Sequence, residues 1–202
     1  MLTNLNLTFF LRANNIPTPP SSLILSHESI STAAQNVGGF PCIIKKTTGG
    51  NGKLVDIVNN KSACLKFILN AKQNISSQSI FPRSFSFLLQ QPITESFGTD
   101  YRALCIKDQL IGIMKRTSQN NSFKANVSLG GAAEFVDTIP EIESISKEVM
   151  KKSNLFMSGI DFIKGGTGYQ VIEINTSPQF KGFEQATKIN IADHIIKALL
   201  KN

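Results

Sequence analysis

Apolar and polar positions along this chain follow two periods, and the clearest pattern lies near its end. Residues 160–163 and 169–174 are short apolar runs flanking Gly165, Gly166 and Gly168, which predicts two antiparallel strands joined by a hairpin. Strand side chains alternate faces. Glu173 and Asn175 are therefore expected on one side and Ile172 and Ile174 in the core, with Asp161 on the partner strand between apolar neighbours. Helical spacing predicts helices over residues 2–13, 29–37, 61–72, 140–153 and 189–201. The buried stripe of the first is read as Leu2, Leu5, Phe9 and Leu11, and that of the third as Leu65, Ile68 and Leu69. Ile142, Ile145, Val149 and Met150 serve the fourth, and Ile191, Ile195, Ile196, Leu199 and Leu200 the last. Strands are expected over 40–45, 54–58, 85–90 and 111–116 and from Asp100 onward, with a turn at 106–110. Pro17, Pro19 and Pro20 hold residues 16–20 extended, and the polar, Ser-rich stretch 73–84 is read as a surface loop.

Composition narrows the class. The chain has 202 residues, 41% hydrophobic and 17% charged, as expected for a soluble globular protein of one large domain or two small lobes. No apolar run approaches the roughly 18 residues of a membrane span, and the start lacks a basic segment followed by an apolar one. A cytoplasmic protein with no membrane partner is expected. Cys42, Cys64 and Cys105 lie far apart within apolar runs and read as buried thiols of a reducing compartment, not as a disulfide framework or zinc site. The net charge is +7, but the basic residues are dispersed. Dispersion fits a polyanionic small ligand or an acidic protein tail better than a nucleic-acid track.

Two features carry candidate chemistry. Asp161, Glu173 and Asn175 bring three oxygen-bearing side chains to one face of the hairpin, and the two carboxylates would repel without a cation. A hard divalent ion suits them, magnesium in preference to calcium, because two carboxylates and an amide leave octahedral positions for water and phosphate oxygens. The plainer alternative is a hairpin whose solvent face happens to be acidic. Upstream, Lys45 ends an apolar strand, and a turn containing Gly49, Gly50 and Gly52 follows, where backbone N–H groups can approach phosphate closely. An ordinary hairpin and a strand-end lysine with a solvated head are the alternatives there.

The stretches Gly159-Ile160-Asp161 and Val171-Ile172-Glu173-Ile174-Asn175-Thr176-Ser177-Pro178 resemble the metal-binding signature of ATP-grasp ligases, most closely the RimK-type amino-acid ligases. The resemblance implies that Asp161, Glu173 and Asn175 hold Mg2+, or Mn2+ in its place, against ATP. It makes Lys45 the ATP-binding lysine at a strand end, with Gly49, Gly50 and Gly52 over the phosphates. Gln91 and Pro92 match the adenine hinge, where the family reads Q-E-[YF]-I. Asp100-Tyr101-Arg102 is similar to the family's D-[IV]-R, which implies that Asp100 binds ribose or a positioned basic residue; a salt bridge with Arg102 is an equally good reading. Met114-Lys115-Arg116, Phe123-Lys124-Ala125-Asn126 and Gly130-Gly131-Ala132 follow the family's landmarks in order. They imply that Arg116 stabilises the transferring phosphoryl group or the acyl phosphate, and that Lys124, Ala125 and Asn126 complete the triphosphate site.

The implied fold is α+β, an ATP-grasp in which two lobes with antiparallel sheets clasp ATP: a helix and Pro-rich connector over 1–20, a small lobe over 21–90 and a larger lobe with the metal site over 91–202. The implied reaction activates a carboxylate as an acyl phosphate and joins it to an amine, adding an amino acid such as glutamate to a peptide, protein or small acceptor with release of ADP and phosphate. An ATP- and magnesium-binding subunit acting with a separate partner is the alternative. The family usually carries a further domain before this region, so a homo-oligomer or a separate partner supplying that domain is expected. Leu129 stands where the family has a basic residue, and Asn4 falls near the place of a family lysine.

Overall fold

The computed structural model describes residues 4–47, 54–76, 87–119, 123, 125 and 132–200. The chain divides into two compact units, one formed by Pro19–Pro92 with the start of the first helix, the other by Phe9–Thr18 and the chain from Ile93 onward. The first helix, α1 (Asn4–Ala13), is thus shared between them.

In the first unit β1 (Ser21–Ile24), β2 (Cys42–Lys46), β3 (Val55–Val58) and β4 (Phe87–Gln90) form an antiparallel sheet in the order β1-β4-β2-β3. The helices α2 (Ile30–Gln35) and α3 (Lys61–Ser76) contribute Ile30, Ala33, Ala34, Cys64 and Ile68 to a core shared with Cys42, Ile44, Phe87 and Leu89. Central β4 is buried along its whole length: Phe87, Leu88 and Leu89 are apolar, and buried Gln90 donates its Nε2 to Ser21 Oγ at 2.9 Å.

In the second unit β5 (Thr99–Ile106), β6 (Gln109–Thr117), β7 (Ala132–Val136), β8 (Met157–Gly165) and β9 (Gly168–Asn175) form a sheet in the order β7-β6-β5-β8-β9, antiparallel throughout. One face packs on α4 (Pro140–Ser153). That helix starts with Pro140 and two acidic residues, ends with Lys151 and Lys152, and is closed by Asn154 in the left-handed conformation (φ 50). Its Ile142, Val149 and Met150 are buried, as are Ala103, Cys105, Ile113, Ile160 and Phe162 on the strands. The other face is divided. At one end Leu104, Ile106 and Met114 pack against α5 (Lys181–Thr187) and α6 (Ile191–Leu200) through Phe183 and Ile191. The absence of a side chain at Gly112 permits that approach, since a Cβ there would lie 3.2 Å from Ile189 and 3.3 Å from Phe183. At the other end the same face carries charged residues.

The α+β architecture with two antiparallel sheets agrees with expectation, and several local readings are corrected. Ile196, Leu199 and Leu200 are 56%, 53% and 79% exposed, so α6 buries Ile191 and turns its outer stripe away from the sheet. Phe9 and Leu69 are likewise exposed, while Leu7, Leu11, Cys64, Ile68 and Ala71 fill the inward stripes of α1 and α3. The strands β1 and β7 and the helix α5 were not expected. Of the expected loop 73–84, α3 claims the residues to Ser76, and the remainder lies outside the described residues. All three cysteines are free and buried. Burial raises Cys64 to about 11 and Cys105 to about 12, so both are unreactive thiols. Among the described residues no helix is long and apolar enough to cross a membrane.

Candidate functional site

The hairpin of β8 and β9 sets the site. Asp161 pairs directly with Glu173, and Gly159 with Asn175, so the three expected ligands share one face. A register shift makes this happen. Phe162 pairs with Val171, which leaves Ile172 as an extra residue in β9. With unbroken pairing from Val171, Glu173 would lie opposite Ile160 on the core face; the bulge turns it to meet Asp161 and returns Ile174 to the core opposite Ile160. Ile172 is accordingly half-buried, not a core residue as strict alternation predicts.

Neighbouring β5 and β6 bring charges onto the same face. Arg102 pairs in register with Asp161, and Asp100 with Arg116. The Arg102 guanidinium grips Asp161 through both oxygens, Nε to Oδ1 at 2.6 Å and Nη2 to Oδ2 at 2.7 Å. Arg116 donates Nε and Nη2 to Asp100, the latter at 2.8 Å, and its Nη2 also reaches Asp161 Oδ2 at 3.0 Å. Asp100 therefore pairs with Arg116 and not with Arg102. Asn175 joins the network when its amide nitrogen faces Glu173 Oε1 (3.2 Å), for its oxygen then accepts from Arg102 Nη2 (3.2 Å). The buried members are extreme: Asp161 is 2% and Arg116 3% exposed. Burial pushes Asp100 up to about 6 against the pull of Arg116. At Asp161 burial acts in the same direction, but Arg102 and Arg116 together outweigh it and hold the carboxyl below its ordinary value.

The remaining expected residues lie elsewhere. Lys45 is half-buried on β2, paired with Val55 and Leu88. Gln91 follows β4, is half-buried, and its backbone N–H donates to Pro20 O at 2.9 Å; Pro92 is half-buried beside it. Ala125 is buried. Gly49, Gly50, Gly52, Lys124, Asn126 and Leu129 lie outside the described residues. Sequence reasoning considered Arg102 only as an alternative partner for Asp100, yet it touches two of the three expected metal ligands. Its position two residues after Asp100 on a strand was the available signal, because that spacing puts both on one face.

Among the described residues no group of three His, Cys, Asp or Glu side chains stands out as a metal cluster. The set here is two carboxylates and an amide, all hard oxygen donors of the kind magnesium takes. Glu173 and Asn175 are half-buried, which leaves them within reach of solvent. Asp161 accepts three guanidinium bonds on its two oxygens, so one lone-pair position remains. By donor chemistry the residues fit a hard divalent cation.

A family model described as RimK-like ATP-grasp domain matches residues 5–199. A curated protein of Legionella pneumophila (strain Corby) named "Probable alpha-L-glutamate ligase" is 33% identical over 191 residues, covering 95% of this chain and 60% of that protein. The chain thus spans about three-fifths of that relative's length. The fold also matches the ATP-grasp ligase PsnB, solved with its minimal precursor, Mg and ADP, at a TM-score of 0.71 and 22% identity over 98% of this chain and 58% of that one. A biotin carboxylase from Campylobacter jejuni, solved as a complex with β-γ-ATP, matches at a TM-score of 0.76 and 18% identity over 98% of this chain and 46% of that one.

Proposed function

Because the chain belongs to the RimK-like ATP-grasp family, we propose that it carries the nucleotide and metal machinery of an ADP-forming carboxylate–amine ligase, with glutamate as the favoured amino acid. The observation that supports this most directly is the register of β8 and β9, in which the bulge at Ile172 places Asp161, Glu173 and Asn175 on one face of a sheet. Asp161, Glu173 and Asn175 would hold magnesium, which neutralises phosphate charge during transfer. The choice of glutamate is supported by the names of relatives such as the Legionella protein.

In the reaction, a substrate carboxylate attacks the γ-phosphorus of ATP and ADP leaves. The amine of the second substrate then attacks the acyl carbon, phosphate leaves, and the amine's proton passes to solvent or a nearby base. Arg116 contributes a guanidinium fixed by Asp100 and Asp161, whose charge favours the anionic phosphoryl group without reorganisation. Lys45 contributes a cation for the nucleotide, and Gln91 and Pro92 a hinge for the adenine. Gly49, Gly50, Gly52, Lys124, Ala125 and Asn126 line the triphosphate in the same reading.

The test is ADP release from ATP and magnesium with glutamate and a panel of carboxylate acceptors, compared between the native chain and Glu173→Gln. Release that depends on both substrates and is lost in the variant supports the proposal. Nucleotide binding without any substrate-dependent release favours a subunit that needs a separate partner. Nucleotide binding that ignores both magnesium and Glu173→Gln overturns the site.

A further inference from the structure

The three oxygen donors on the hairpin face are not an open acidic cluster. Arg102 lies in their midst. Its Nη2 donates to Asp161 Oδ2 at 2.7 Å and, in the amide orientation that satisfies both neighbours, to Asn175 at 3.2 Å. Glu173 attracts the same guanidinium. Its side chain is 18% exposed, so the head group is largely desolvated among its partners. Two guanidiniums, Arg102 and Arg116, already lie among the carboxylates of Asp100, Asp161 and Glu173. A divalent cation added to that set without rearrangement would stand beside Arg102 in a site of low dielectric, where like charges a few ångströms apart repel strongly.

We propose that Arg102 is a built-in cation that takes the place of the divalent metal among Asp161, Glu173 and Asn175 in the metal-free protein, and that metal binding requires its guanidinium to leave Asp161 and Asn175. This rests on the assignment of those three residues as the metal site. Arg102 then sets the metal affinity. Metal alone binds weakly because it must displace a bidentate ion pair. Metal arriving with a nucleoside triphosphate binds well, because the phosphate oxygens offer the released guanidinium a new bidentate partner. Arg102 is a positioning residue in this role: it acts on the metal through the ligands it occupies.

The test uses Mn2+ as a paramagnetic probe, titrated without nucleotide into the native chain, Arg102→Gln, Arg102→Lys and Glu173→Gln. The Gln variant keeps a hydrogen-bond donor and removes the charge, and should bind Mn2+ at least about tenfold more tightly than the native chain. The Lys variant restores the cation and should bind as weakly as the native chain. Addition of a non-hydrolysable ATP analogue should narrow the gap between native and Gln proteins. Equal or weaker Mn2+ binding by Arg102→Gln, with binding still lost in Glu173→Gln, overturns the displacement while leaving the site intact. Mn2+ binding unaffected by Glu173→Gln overturns the site itself. Should Arg102→Gln fail to fold, the native chain answers by NMR. The Arg102 Nε–H resonance should shift when Mg2+ and the analogue are added together, as its carboxylate partner is exchanged for phosphate, and an unchanged resonance at saturation refutes the proposal.

Discussion

Replacing Asp161 by Asn in the metal-free protein separates two pictures of this site. If Asp161 and Glu173 faced each other as an unneutralised acidic pair, as the alternation of the hairpin alone implies, removing one charge would relieve repulsion and stabilise the apoprotein. The observed contacts demand the opposite. Asp161 accepts bonds from Arg102 at 2.6 and 2.7 Å and from Arg116 at 3.0 Å, and is 2% exposed. Removing one partner of such a buried pair costs about 3 to 5 kcal/mol, because the opposite charge is left desolvated. For a chain of this length that corresponds to a fall in Tm of roughly 6 to 20 °C. The assay is thermal unfolding followed by circular dichroism at neutral pH, in excess chelator and without nucleotide. Glu173→Gln, which changes a half-buried residue, serves as the control and should shift Tm little. The pH dependence has a definite sign. Asp161 titrates below its ordinary value of 3.8, so its contribution is fully present above that pH and is lost only as the pH falls through the folded-state value. The gap between the native chain and Asp161→Asn should persist at mildly acidic pH and close in strong acid. A Tm that rises or stays unchanged in Asp161→Asn at neutral pH refutes the ion-pair account.

Three further outcomes follow from individual contacts. Tyr169 is raised to about 12 by burial and by the neighbouring Tyr101 ring, so the folded protein should hold its phenol proton above pH 10 and lose stability as the pH climbs from 10 through 12. With two tyrosines and no tryptophan in the chain, ultraviolet titration reads this directly; Tyr169→Phe should remove the late phenolate step, and loss of an ordinary step near 10 instead would contradict it. Gly168 has φ +105, and a Cβ there would run into the Glu141 carboxylate that accepts the Tyr169 backbone N–H at 2.9 Å, so Gly168→Ala should destabilise by about 1 to 3 kcal/mol in denaturant titration, with an unchanged midpoint counting against it. Lys45→Ala should weaken ATP binding by roughly 10- to 100-fold, the equivalent of one charge-assisted hydrogen bond, with little change in Tm without nucleotide; a large fall in that Tm would assign Lys45 to the fold.

Periodicity recovered those elements whose burial follows one simple pattern, a single stripe on a helix or a short, mostly apolar run on a strand. The stripe of α4 and the buried runs of β2 and β4 were legible because nothing competes with the pattern. It failed where one strand edge or helix face is left open. At α6 the apolar residues exceed what the sheet can cover, so Ile196, Leu199 and Leu200 read as core and lie exposed. Edge strand β7 is exposed at Ala132, Glu134 and Phe135, giving no alternation to detect. The strand β1 follows three prolines and opens with two serines, yet Ser21 is buried because its hydroxyl accepts from Gln90 Nε2 at 2.9 Å and donates to Pro19 O at 3.0 Å.

The site was legible as residue types and not as a charge balance. Alternation within β9 was enough to group Glu173 with Asn175, because both lie beyond the bulge. It misplaced Ile172 because a bulge is a property of two strands, and a single strand's sequence does not reveal which of its residues lacks a partner. Arg116 and Arg102 were legible in other roles, but their contact with Asp161 was hidden for the same reason. Arg102 and Arg116 come from two strands that precede β8 by tens of residues, and only the order β6-β5-β8-β9 lays them beside Asp161. That order has an energetic consequence. Each carboxylate buried on this face has a guanidinium opposite it or diagonal to it, so the sheet can bury Asp100 and Asp161 without any ligand to neutralise them. The backbone of the site is therefore set by folding alone. On the displacement proposed above, what a metal has left to change is the partner of Arg102, a side-chain exchange at the sheet face, while Arg116 stays held by Asp100 and Asp161.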